Sequence, residues 1–107
     1  MVTISKENGL ITLMNVFTVD REKQQSLIEL LVKTTEEVMR YQPGFVSANI
    51  HRSLDGTRVV NYAQWRSRDE FEAMLRNPKA RPHMEEVASL VQKFEPYLHE
   101  VVSVHSV

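Results

Sequence analysis

Residues 42–67 read QPGFVSANIHRSLDGTRVVNYAQWRS, and taking this stretch as one β-hairpin decides the fold. Pro43-Gly44 marks its entry. Asp55-Gly56 lies between two strand-like arms, and Asp-Gly is a strong hairpin signal because glycine takes the positive φ of a tight turn. The second arm, Val59 to Trp65, is rich in β-branched and aromatic residues that suit a pleated surface. Period-2 alternation puts Val59, Asn61, Ala63 and Trp65 on one face and Val60, Tyr62 and Gln64 on the other. An amide and the only tryptophan of the chain thus share a face with apolar residues.

Upstream, Leu10 to Val19 (LITLMNVFTV) reads as a strand with apolar residues on both faces, the mark of a strand hidden on both sides. Asn15 interrupts it, either as an edge amide or as a polar group aimed into a pocket. Asp20 is placed to N-cap a helix running to about Tyr41. Leu27, Leu30, Leu31, Thr34 and Val38 form its apolar stripe. Downstream, Ser67 and Glu70 match a capping box. A short helix follows with Phe71, Met74 and Leu75 inward, stopped by Asn77-Pro78. Pro82 opens another helix, whose stripe runs Met84, Val87, Ala88, Val91, Phe94 until Glu95-Pro96. Tyr97 to Val107 completes the chain as a last strand.

The order β-α-β-β-α-β predicts an α+β, ferredoxin-like antiparallel sheet with helices on one face. Residues 1–107 make a single domain, with 1–8 as a polar tail. Both faces of the hairpin carry apolar residues, Phe45 lying opposite Val46, Ala48 and Ile50. A second copy packed against the uncovered sheet face would bury the excess, so a homodimer is expected. Tyr62 then belongs to the dimer core.

Composition narrows the chemistry. A formal net charge of −1 offers no footprint for nucleic acid. No apolar run is long enough for a membrane span, the start of the chain lacks a signal-peptide core, and a cytoplasmic protein is expected. The absence of cysteine excludes thiol catalysis, thiolate metal sites and disulfides. His51, His83, His99 and His105 show no chelating spacing, so no metal site is expected. No glycine-rich phosphate loop or nucleophile elbow occurs. Amides, an indole and scattered histidines around an apolar cleft remain. Asn15 and Asn61, on neighbouring strands, would donate to one carbonyl or to the oxyanion developing from it. Trp65 is either core or a flat wall for an aromatic ring.

These residues carry a resemblance. Asn15-Val-Phe-Thr-Val, Gln42-Pro-Gly-Phe, the Asp-Gly-Thr-Arg turn, Val-Val-Asn-Tyr-Ala-Gln-Trp-Arg-Ser and Phe71 are similar to the antibiotic biosynthesis monooxygenase family over nearly the whole chain. The resemblance implies a dimeric α+β barrel. It also implies a cofactor-independent monooxygenase that oxidises a phenolic or anthrone-type aromatic to a quinone, with O2 as co-substrate and no metal, flavin or haem. It assigns catalysis to Asn15, Asn61 and Trp65. Substrate binding falls to His51, Arg81, Phe17, Met74 and His83. For His51 the register decides: a two-residue turn sets Ile50 opposite Asn61 and turns His51 to the other face, whereas a bulge at the turn would bring it across. Haem-degrading relatives offer a rival reading, with an axial histidine near His83, although Met84 holds the matching register and Met74 replaces the expected tryptophan. A small-metabolite isomerase and a non-catalytic ligand-binding dimer are two further functions that the same fold would serve.

Overall fold

The computed structural model describes residues 2–107. Strands β1 (Ile11–Thr18), β2 (Phe45–Arg52), β3 (Arg58–Trp65) and β4 (Lys93–His99) form one sheet in the order β2-β3-β1-β4, every neighbouring pair antiparallel. Helices α1 (Gln24–Glu37), α2 (Arg68–Arg76) and α3 (Arg81–Leu90) complete the fold. The ferredoxin-like α+β arrangement expected from the hairpin is the one observed.

The hairpin turn is built from polar side chains. The Gly56 amide donates to the Ser53 carbonyl at 3.2 Å. Asp55 Oδ1 accepts from Ser53 Oγ, the Thr57 amide and Thr57 Oγ1 at 2.7–3.0 Å. Ile50 pairs with Asn61 and His51 with Val60, the register that a two-residue Asp55-Gly56 turn would give, although the hydrogen-bonded turn is Ser53 to Gly56 with Leu54 and Asp55 at its centre. The irregularity lies at the other end of the hairpin, between Phe45 and Ser47. There the extra residue brings Phe45 opposite Trp65, onto the same face as Ala48 and Ile50. This corrects the face assigned to Phe45 by simple alternation.

Four boundaries differ from those expected from the sequence. Residues Arg21–Lys23 form a 3-10 turn before α1, and Met39–Tyr41 another after it. Asp20 makes no capping hydrogen bond; its carboxylate accepts from the Gln92 side chain instead. The third helix stops at Leu90, so Phe94 and Pro96 belong to β4 rather than to a helical stripe. Proline is tolerated there because β4 is an edge strand. Residues 100–107, expected as strand, have no regular secondary structure. By contrast the Ser67 cap forms as predicted, its Oγ accepting from the Glu70 amide at 3.1 Å.

The core on the helix side divides in two. One cluster joins Leu13, Ala63, Trp65, Phe71, Met74 and Ala80. The other joins Phe17, Val19, Leu27, Leu31, Val59 and Val87. On β1 and β3 the rung between them is Asn15 paired with Asn61. Two amides thus interrupt what would otherwise be one continuous apolar layer.

The opposite sheet face is covered at one end only. Ser47 Oγ donates to Gln64 Oε1, and Gln64 Nε2 donates to the Thr3 carbonyl, each at 2.8 Å. The N-terminal segment is therefore tied down at Thr3, with Thr12, Ser47 and Gln64 buried beside it. Met14 and Tyr97 on the same face remain exposed.

Candidate active site

The divided core encloses a cavity of about 360 Å³ between the sheet and the helices. That is the size range of a small-molecule site. Its sheet wall includes Asn15, Phe17, Asn61 and Trp65, and its helix wall includes Thr34, Met74 and Met84. Phe94, Pro96 and Leu75 line it as well. All three are exposed, and they mark the side on which the cavity meets solvent. No residue along the wall carries a titratable side chain.

Four buried polar atoms on this wall have no hydrogen-bond partner: Asn15 Oδ1, Thr34 Oγ1, Asn61 Oδ1 and Trp65 Nε1. Buried polar groups are satisfied in the great majority of native structures, and each orphan costs about 1–3 kcal/mol. Among the described residues these four are the only side-chain orphans of that kind, and all four belong to residues that line one cavity. A layer that served folding alone would place apolar residues there. The arrangement suits a bound molecule with oxygen functions, since an amide both donates and accepts, and an indole N–H donates.

Trp65 is held rather than loose. Phe45 and Phe71 meet its ring edge-on, with centroids at 5.6 and 5.7 Å and planes at 89° and 70°. Such contacts fix the indole plane, and Nε1 is left buried without a protein partner.

Of the residues proposed from sequence, the cavity brings together Asn15, Asn61, Trp65, Phe17 and Met74. It does not include His51, Arg81 or His83. His51 is exposed on the outer sheet face because it pairs with Val60, and the register shift lies at the other end of the hairpin. Arg81 is exposed in the first turn of α3. His83 is half-buried away from the cavity wall, where Met84 stands instead. Thr34, Phe45 and Phe94 join the wall without having been singled out by sequence. For Thr34 the available signal is a hydroxyl at a stripe position. Phe45 is hidden by the bulge, and Phe94 by a spacing that continues the helical one.

The model of the antibiotic biosynthesis monooxygenase family matches residues 10–98. The chain belongs to that family. It is 50% identical to tetracenomycin-F1 monooxygenase of Streptomyces glaucescens over 101 residues, covering 94% of this chain and 89% of the relative. Among solved structures, the ActVA-Orf6 monooxygenase of Streptomyces coelicolor, in complex with nanaomycin D, superposes with a TM-score of 0.84 at 30% identity. That match covers 92% of this chain and 93% of the other. SnoaB of Streptomyces nogalater, a cofactor-independent oxygenase, gives 0.75 at 27% identity, over 90% and 96% of the two chains. As a member of the family the chain is a monooxygenase. Among the described residues no group of three or more His, Cys, Asp or Glu is placed to hold a metal ion, and no helix is long and apolar enough to cross a membrane.

Proposed function

We propose that this monooxygenase oxidises a phenolic or anthrone-type aromatic to a quinone with O2 and without metal, flavin or haem. The observation that carries the proposal is the convergence of the unpartnered Asn15, Asn61 and Trp65 groups on one cavity. The Streptomyces relatives, named as monooxygenases and as a cofactor-independent oxygenase, support the same class.

The residues suggest the following course. The substrate's oxygen lies at the Asn15–Asn61 rung, and its ring lies against Trp65. The two amides donate to the oxygen as it becomes an enolate, which stabilises the anion in a site of low dielectric. With no titratable side chain on the wall, the proton leaves to solvent on the exposed side. The electron-rich enolate passes one electron to O2, and the radical pair combines into a carbon–oxygen bond. The resulting peroxide takes up a proton and loses water. One CH2 and one O2 have then become one C=O and one H2O. Phe17, Met74 and the rings around Trp65 hold the substrate in register and keep water from the radical pair.

We further propose that the protein works as a homodimer through the outer sheet face. Val16, Val60 and Tyr62 are only half-buried there, and Met14 and Tyr97 are exposed. These side chains share one face of β1, β3 and β4, which a second copy would cover.

An oxygen electrode tests the catalytic reading, with 1,8-dihydroxyanthrone as substrate. Wild-type protein should consume one O2 per quinone formed, well above autoxidation. Uptake no faster than the protein-free rate, across a panel of anthrones and naphthols, would overturn the proposal.

A further inference from the structure

Among the described residues Thr34 is the one orphan on the helix wall of the cavity, whose sheet wall carries the other three. Its side chain is buried, at 4% exposure. A threonine inside a helix ordinarily satisfies its hydroxyl by bonding the carbonyl one turn back. The adjacent Thr35 does so, its Oγ1 donating to the Leu31 carbonyl at 2.8 Å. Thr34 Oγ1 has no partner. A valine of the same shape would fill the stripe without leaving a buried hydroxyl unpaired.

We propose that the Thr34 hydroxyl contacts the oxygen that the reaction installs. The inference rests on the reading of the cavity as the site of an aromatic oxidation, and it deepens that reading. In an anthrone the carbon that takes up O2 lies across the central ring from the carbonyl. With the carbonyl oxygen at the Asn15–Asn61 rung on the sheet, that carbon points to the opposite wall, where α1 presents Thr34. The hydroxyl then donates to the peroxide anion as it forms, in the way that amides on the other wall serve the enolate. After water is lost it donates to the new quinone carbonyl.

The test uses Trp65, the only tryptophan in the chain, as a fluorescence probe of binding that needs no turnover. Anthrone under nitrogen carries one oxygen, and 9,10-anthraquinone carries two at opposite edges. Thr34→Val should weaken anthraquinone binding about three- to tenfold and leave anthrone binding unchanged, the effect of one hydrogen bond. Thr34→Ser should restore the wild-type preference. In turnover, Thr34→Val should lower kcat with little change in KM. Equal losses for both ligands, or none for either, would overturn the proposal, since a hydroxyl serving only the fold or a water does not distinguish them. If wild-type protein consumes no oxygen, the reading as an oxidase of anthrones falls. The comparison of quinone with anthrone still decides whether Thr34 meets a second oxygen.

Discussion

Asn15 and Asn61 face each other directly across β1 and β3, and the Oδ1 of each is buried without a partner. Two amides on adjacent strands ordinarily satisfy one another or the backbone. Here they stand open together at the break between two apolar clusters, with oxygens that can accept from a ligand hydroxyl and Nδ2 groups that can donate to a ligand oxygen.

Removing either amide should therefore separate activity from stability. Asn61→Ala should lower kcat by about 10²–10³, the range for losing one donor to a developing oxyanion. Asn15→Ala should fall in the same range. The double variant should lose less than the product of the two, because both groups serve one oxygen. Thermal melts should show no large loss, since each substitution also removes an unpaired buried group. A melting temperature that drops in step with activity would make the rung a folding element instead.

The cavity wall carries no titratable side chain, which fixes the expected pH dependence. The rate should rise with pH as the substrate ionises and level off once it is anionic. Its midpoint should move with the substrate, shifting lower for a more acidic phenol. Profiles of kcat/KM for two anthrones of different acidity provide the check. A midpoint that stays fixed for both would show that a protein base acts, brought in from outside the cavity described above.

Much of this site is legible in the sequence because period-2 alternation is unforgiving. With Asp55-Gly56 as the turn, the shared face of Asn61, Ala63 and Trp65 follows. What stays hidden depends on events that alternation does not encode. The irregularity between Phe45 and Ser47 turns Phe45 toward Trp65, and nothing in FVSAN announces it. The end of α3 is masked because Met84, Val87, Val91 and Phe94 continue a helical spacing into residues that form β4. Thr34 escapes for a different reason. Its place in the stripe is correct, but a stripe says which side chains face inward and not which lack a partner. The histidines draw attention by chemistry alone, and the register sends His51 to the other side of the sheet.

The hairpin turn should show an acid-sensitive stability. Asp55 is held down at about 2 chiefly by the Thr57 hydroxyl, then by the Thr57 amide and the Ser53 hydroxyl. A carboxylate whose folded pKa is depressed stabilises the fold above its unfolded value, 3.8 here, and ceases to do so as pH falls through the folded value. Asp55→Asn should thus lower the melting temperature at pH 7. The gap to wild type should narrow from about pH 4 downward and close only below pH 2. A gap of constant size over that range would mean the turn depends on side-chain shape rather than on the charge.

Gly44 shapes the entrance to the hairpin for two separable reasons. Its φ is +85°, and a Cβ added there would lie 2.6 Å from Glu70 Cβ and Cδ. The close approach is a consequence of the Ser67–Glu70 cap, which fixes the first turn of α2 against the hairpin, where the Arg66 amide also donates to the Gly44 carbonyl at 2.8 Å. Gly9 supplies the control, with φ +71° and nothing within 4 Å of an added Cβ. Gly9→Ala should cost only the conformational penalty, about 1–2 kcal/mol. Gly44→Ala should cost clearly more, since Glu70 or the backbone must also shift, and it should loosen Phe45 against Trp65. Denaturant melts of both variants, with Trp65 emission as the local probe, separate the two contributions. Equal losses at the two positions would show that the contact with Glu70 relaxes freely and that the positive φ alone explains glycine at the hairpin entrance.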